Sequence, residues 1–235
     1  KYAENISQLA LANVDFDMQN RHHISYNLMM IHANTQSVGD YNGKNSIFSD
    51  DYENLGFTRR QQTNDNMLIV NQLMSNWGLT KSLSLDAGAS YNMVKGYEPD
   101  RRINNLTKAE DGYTLLRGNS QQRYFSTLDE DDLNVKAGLV YRLKDNIEEI
   151  SNVRFGYTGR FVDDNFKATE YNLTVGHVYT IPSLDNFSLD DYYNQENFAS
   201  DWFKIQKNLD EYTVKKNIHS AYAEATYQFT PRWIV

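Results

Sequence analysis

Between positions 82 and 94 the chain reads SLSLDAGASYNMV, with Leu83, Leu85, Ala87, Ala89, Tyr91 and Met93 alternating with Ser82, Ser84, Asp86, Gly88, Ser90 and Asn92. Successive side chains of a strand point to opposite faces, so this segment predicts a strand with one apolar and one polar side. The pattern recurs along the chain. Residues 11–18 set Ala12, Val14, Phe16 and Met18 against Asn13, Asp15 and Asp17, and residues 22–33 align Ile24, Tyr26, Leu28 and Met30, although Met29 and Ile31 blur the other face. Residues 132–143 oppose Leu133, Val135, Ala137, Leu139 and Tyr141 to Asn134, Lys136, Gly138 and Arg142. Residues 152–161 oppose Val153, Phe155, Tyr157 and Phe161 to Arg154, Gly156, Thr158 and Arg160, and residues 221–229 repeat the alternation around Glu224. Residues 66–77 are apolar on both faces, and period alone leaves them ambiguous. Seven strands are predicted, with an eighth beginning at Trp233.

The spacing between these strands sorts into two kinds. Strands one and two, three and four, five and six, and seven and eight are separated by a few residues each. The intervening stretches, roughly 34–65, 95–130 and 163–211, are long and rich in Asn, Asp, Tyr and Gly. Alternating short and long connections are what an up-and-down transmembrane barrel has, with tight turns at one end and large loops at the other. A compact soluble domain has no reason to sort its loops by end, and long structureless loops count against one. About 11 residues at about 3.3 Å each, tilted by roughly 40°, rise about 28 Å, which matches the apolar band of such a barrel. Phe16, Trp77, Tyr141, Tyr227, Phe229 and Trp233 all fall near the short turns, where a membrane interface favours aromatic rings.

Composition changes this picture little. The 235 residues include 17 Tyr, 11 Phe and 3 Trp but only 3 Pro and no Cys. That mixture favours strands and removes disulfides and thiolate metal sites. Mean hydropathy is −0.69, and no apolar run is long enough for a membrane helix. A net charge of −8 argues against a nucleic-acid partner, which normally meets a basic face. The chain opens on Lys1 without a leader-like segment and closes as a strand is starting, so a portion of a longer barrel is expected, with 1–235 belonging to one barrel domain.

Asp86, Lys136, Arg154, Arg160 and Glu224 all fall on the predicted polar face. Charged groups there would be costly in a dry core, so they are expected to face a wide lumen holding water or a polar plug. Gly88, Gly138 and Gly156, with Gly159 as a fourth candidate, would let that wall accept bulky neighbours. The segment EPDRR supplies a candidate ligand site in a predicted extracellular loop: Glu98, Asp100, Arg101 and Arg102, with the arginines suited to a carboxylate or phosphate. A loop-base salt bridge or a contact with lipopolysaccharide is an equally good account of it. His22 and His23 have no third ligand at a recognisable spacing, and no nucleophile elbow, phosphate loop or zinc motif is present, so neither a catalytic site nor a metal site is expected. The acidic pairs at 129–132, 163–164 and 190–191 offer oxygen ligands for calcium but lack the spacing of a dedicated loop, and no cofactor is assigned.

The blocks SLSLDAGASYNMVKGYEPDRR, QQRYFSTLDEDDLNVKAGLVYRLKD, NVRFGYTGRFVDDNFKATEYNL and HSAYAEATYQFTPRWIV together resemble the barrel of TonB-dependent outer-membrane receptors, above all the Bacteroidetes group that carries a carboxypeptidase-regulatory-like domain before its plug, with its SusC-like relatives. What the resemblance implies is a middle portion of a 22-stranded barrel in the Gram-negative outer membrane. Its lumen would hold a plug domain, and TonB, ExbB and ExbD would energise the import of a siderophore, haem, peptide or glycan. A surface lipoprotein partner is compatible with the resemblance and not indicated by it. The sequence shows no plug, no TonB box and no terminal aromatic strand. Two other functions are compatible with the alternation: a passive porin-like or adhesin-like barrel, and a soluble carbohydrate-binding or glycosidase β domain. The latter needs paired carboxylates, and no pair stands out.

Overall fold

The computed structural model describes residues 1–19, 21–44, 55–115, 118–143, 151–175, 180–184, 191, 194–200, 203–230 and 233–235. Among the described residues the chain is all-β apart from one short helix. Its elements are β1 (Tyr2–Met18), β2 (His22–Gly43), β3 (Gly56–Gly78), β4 (Leu83–Ala109), β5 (Gly112–Leu115), β6 (Gly118–Arg142), β7 (Asn152–Val175), β8 (Thr180–Ile181), α1 (Gln195–Ala199), β9 (Phe203–Thr226), β10 (Gln228–Thr230) and β11 (Trp233–Ile234). The seven long strands pair antiparallel in the order β1-β2-β3-β4-β6-β7-β9, an up-and-down meander. Among the described residues β1 and β9 are each paired along one side only, so the sheet is open rather than closed on itself.

All seven predicted strands are present, but they are about twice as long as their alternation indicates. β2, β3, β4, β6 and β7 contain 22, 23, 27, 25 and 24 residues. At about 3.3 Å per residue they run roughly 70–90 Å. Most of the stretches read as loops, including 34–43, 57–65, 95–109 and 163–175, are ladder-paired strand. Their side chains are mostly polar, with isolated apolar ones such as Phe57, Leu106 and Val175, so hydrogen bonding to both neighbours makes them strands without a continuous apolar face to announce it. Bulges between Gln61 and Asp65 and between Glu98 and Arg101 also reset the alternation. Strand seven departs from its prediction in the other direction. The ladder of β9 stops at Thr226, and β10 and β11 pair in a separate two-stranded sheet, flanked by Tyr227 and Val235, each of which donates its backbone N–H to the other's carbonyl at 2.7 and 3.0 Å.

The two ends of the sheet are built differently. At the short-turn end the turns are laced together: the Gly78 N–H donates to Arg21 O at 2.8 Å and the Arg142 N–H to Ser82 O at 2.7 Å. At the far end β4 folds back through a tight turn into β5, which pairs with β8. There Phe57, Leu106, Leu115, Val175, Ile181 and Phe203 form a buried cluster with Tyr113, Leu184 and Phe198 packed against it. The turn needs Gly112, whose φ is +139° and where a Cβ would lie 2.3 Å from Ile181 O. This cluster is small, and most large apolar side chains of the chain lie outside it.

Candidate functional site

The strand register assigns every long strand one apolar and one polar face near the short turns. Across the apolar face, Phe16, Ile24, Ser75, Ala87, Ala137, Tyr157 and Ala221 form one row of directly paired residues, and Val14, Tyr26, Leu73, Ala89, Val135, Gly159 and His219 form the next. Val14, Phe16, Leu73, Leu139, Tyr141 and Phe155 are all exposed, with Leu73 half accessible. The polar groups within this face are turned onto partners. Tyr26 donates its hydroxyl to Asn71 Oδ1 at 2.8 Å, Ser75 donates to the Ala87 carbonyl at 3.3 Å, and Tyr157 Oη lies 2.7 Å from His219 Nδ1. Such pairing is what a water-free exterior demands.

The apolar face ends at a charged boundary that does not follow the rows. The row Ala10, Met30, Ile69 and Met93 continues on β6, β7 and β9 as Asp131, Asp163 and Lys215. At the short-turn end β2 and β3 begin at His22 and Trp77, whereas β4, β6, β7 and β9 carry one further row, Leu83, Tyr141, Val153 and Ala225. The band therefore slants across the strands. Its upper limit falls by one row, about 7 Å, between β4 and β6, and its lower limit falls by one row between β3 and β4. Aromatic residues lie at or near both limits: His22 packs on Trp77 with ring centroids 4.9 Å apart, and Tyr91, one row below Met93, reaches Asp131 Oδ1 at 2.6 Å. Tyr227 and Phe229 pack edge to face at the terminal two-stranded sheet, and the Trp233 side chain lies outside the described residues.

The opposite face carries the five predicted lumen residues. Asp86 accepts a short hydrogen bond from Asn76, and Arg154 lies 3.9 Å from Glu224. Arg160 places Nε and Nη2 on the buried Asp132 carboxylate, with Nη2 at 2.9 Å, a partner the sequence pattern did not single out. The glycines serve as expected at three places: a Cβ at Gly88 would lie 2.8 Å from Lys136 Cε, and Gly156 and Gly138 lie beneath the Tyr222 side chain. Gly159 belongs to the apolar face instead, among Val135, Tyr157 and Phe161. The polar face is also interrupted by an apolar patch. Leu11, Met29 and Val70 form one row and Leu9, Ile31, Leu68 and Val94 the next, which accounts for the two-sided hydrophobicity of residues 66–77.

Glu98, Asp100, Arg101 and Arg102 lie within β4 at its bulge rather than in a loop, and the bulge divides them between two groups. Asp100 is gripped by Arg123, whose Nε and Nη2 reach its two oxygens at 3.0 and 2.6 Å, and by Arg102 Nε at 2.6 Å. Arg101 instead stacks over Tyr124, 4.1 Å from the ring centroid, and faces Glu98 at 3.6 Å. Glu98 is buried, and its Oε1 and the Arg101 Nε have no hydrogen-bond partner among the described residues. Of the four residues, Glu98 and Arg101 retain polar atoms that nothing satisfies, while Asp100 and Arg102 are engaged with one another and with Arg123.

Burial pushes the Asp100 carboxyl up, but the hydrogen bonds from Arg123 and Arg102 outweigh it and hold the carboxyl below its ordinary range. A carboxylate lowered in the folded state stabilises fully above its unfolded pKa of about 3.9 and loses that contribution as pH falls from there through its folded value. In urea unfolding, the deficit of Asp100→Asn relative to the parent should be present at pH 6 and shrink on acidification below about pH 4. A deficit that does not change with pH would show that Asp100 acts by packing alone.

No group of three or more His, Asp or Glu among the described residues is arranged to hold a metal ion. No protein-family model matches the chain, and no curated protein matches it in sequence.

Proposed function

We propose that the chain forms part of the wall of an outer-membrane β-barrel of the TonB-dependent receptor kind, in which a plugged lumen imports a ligand. The observation that carries the proposal is the slanted apolar band. A flat membrane cuts tilted strands obliquely, so the apolar limit must step from row to row across neighbouring strands. The upper and lower limits step by one row in the same sense, as tilted strands cut by a flat membrane would, and a soluble sheet buried against a second layer has no reason for a charged boundary oblique to its rows. The open edges of β1 and β9 offer unpaired backbone groups for further strands, which a membrane wall requires. On the polar face, the patch from Leu9 to Val94 supports an occupied lumen, because water alone is a poor neighbour for it. The strand extensions beyond the band, with Glu98, Arg101 and Tyr124 at the bulge, are the proposed ligand-contacting walls. Siderophore, haem, peptide and glycan all suit that chemistry.

Lipid quenching tests the membrane assignment. With Trp202 and Trp233 replaced by Phe, the fluorescence of Trp77 in reconstituted bilayers should be quenched strongly by brominated lipid and weakly by aqueous iodide. Strong iodide quenching with no effect of brominated lipid would place the apolar band outside a membrane. Import is tested separately by fractionating the host cell: the proposal expects this polypeptide in the outer membrane, continuous with an upstream plug.

A further inference from the structure

We propose that the cleft beneath the turn joining β3 to β4 is a phosphate-binding site. The cleft has a volume of about 280 Å³, and Arg21, Lys81 and Arg142 converge on it with Asn76, Thr80 and Ser84. The three cations come from three separate stretches of chain, held together by the Gly78-to-Arg21 and Arg142-to-Ser82 backbone hydrogen bonds. Among the described residues none of the three forms an ion pair, and the polar-face carboxylates Asp86 and Glu224 are engaged with Asn76 and Arg154. Like charges gathered around one space repel unless an anion joins them.

The donors around the cations specify the anion further. Thr80 Oγ1 accepts the backbone N–H groups of Ser82 and Leu83 at 3.3 and 3.0 Å, so its own proton is left to donate. Two guanidinium forks, one ammonium and hydroxyl donors suit an anion with several oxygens in three dimensions better than a planar carboxylate. The cleft opens at the end of the sheet where Trp77, Leu83 and Tyr141 close the apolar band on the other face, the height at which phospholipid headgroups would lie. The phosphate assignment stands on the cleft alone; only a lipid source for it rests on the membrane assignment above.

The test titrates the whole chain, in uncharged detergent, with inorganic phosphate, short-chain phosphatidylglycerol and short-chain phosphatidylcholine, read by native mass spectrometry and calorimetry. Saturable binding of phosphate or phosphatidylglycerol is expected, weakened at least about tenfold in R21Q/K81Q/R142Q. The single variant K81Q should show a smaller loss in the same direction, and Lys136→Gln, a wall cation outside the cleft, none. Tighter binding of phosphatidylglycerol than of phosphate identifies a lipid headgroup as the source, and equal binding identifies a soluble phosphate. Unchanged binding in the triple variant overturns the proposal. So does binding of an acidic peptide that phosphate fails to displace. Phosphate binding that emerges only in D145N/E148Q/E149Q, which removes the carboxylates that follow Arg142 in the sequence, would likewise assign the cleft to the chain's own carboxylates.

Discussion

Leu73→Arg is expected to lower the unfolding free energy of the chain in phospholipid bilayers by about 2–4 kcal/mol, while Gln72→Arg costs no more than about 1 kcal/mol. The two residues are adjacent on β3 and differ only in the face they occupy. Leu73 pairs with Tyr26 and Ala89 in the middle of the apolar band, between its limits at Trp77 and Met67, and is half exposed. If the band spans a membrane as proposed, an arginine there must bring a guanidinium to the middle of the lipid hydrocarbon. Gln72 stands on the polar face beside Asn27, whose side-chain amide it accepts at 3.3 Å, and an arginine there remains among polar groups. Leu139 is equally apolar but lies one row from the Tyr141 limit, so Leu139→Arg should cost less than Leu73→Arg. The measurement is denaturant unfolding from liposomes, and the ranking Leu73, Leu139, Gln72 is the content of the prediction. Equal costs at Leu73 and Gln72 would show that both faces meet the same medium.

The faces of the wall were legible because one chemical fact, alternation against a half-apolar surroundings, is written into residues 82–94, 132–143 and 152–161. Strand length was not. From Lys95 onward β4 carries mostly polar or charged side chains, with Tyr97, Ile103 and Leu106 too irregularly spaced to leave a period of 2 to read. The bulge at Glu98 further places Arg101 on the face of Glu98 and Asp100 with Arg102 and Arg123, a division that spacing along the sequence cannot express. Partners contributed by other strands were equally hidden. Asp132 for Arg160, Arg123 for Asp100 and Tyr124 for Arg101 are 28, 23 and 23 positions away and depend on register. The basic cleft needs three stretches of chain, around Arg21, Lys81 and Arg142, brought side by side, so its residues carry no motif at all. The apolar patch on the polar face is the opposite case: Met29, Ile31, Leu68 and Val70 were visible as a blur, and only the pairing of β1 to β4 turns the blur into a surface.

Gly156→Ala is expected to destabilise the chain by about 1–3 kcal/mol, through the ring that lies on it. The Tyr222 side chain crosses from β9 over Gly156 on β7 and reaches toward Gly138 on β6, so a Cβ at Gly156 would come within 2.3 Å of Tyr222 Cζ, while one at Gly138 would lie 3.2 Å from its hydroxyl. A methyl group at Gly156 displaces the ring, whereas one at Gly138 asks only a few tenths of an ångström of its tip. Gly138→Ala should therefore be the milder change. An aromatic ring laid across a glycine covers backbone that the missing side chain leaves bare, and it ties three strands together at the point where the wall has least side-chain mass. If that contact is the reason for the glycine, the two changes must be coupled: Tyr222→Ser removes the obstacle, and Gly156→Ala in its background should cost less than it does alone. A double-mutant cycle on unfolding free energy reads the coupling directly, with an interaction of about 0.5–3 kcal/mol expected for residues in contact. Strict additivity would mean that the ring moves aside freely. Gly156 would then owe its place to backbone freedom, and the polar face at that height would be wider than the ring makes it.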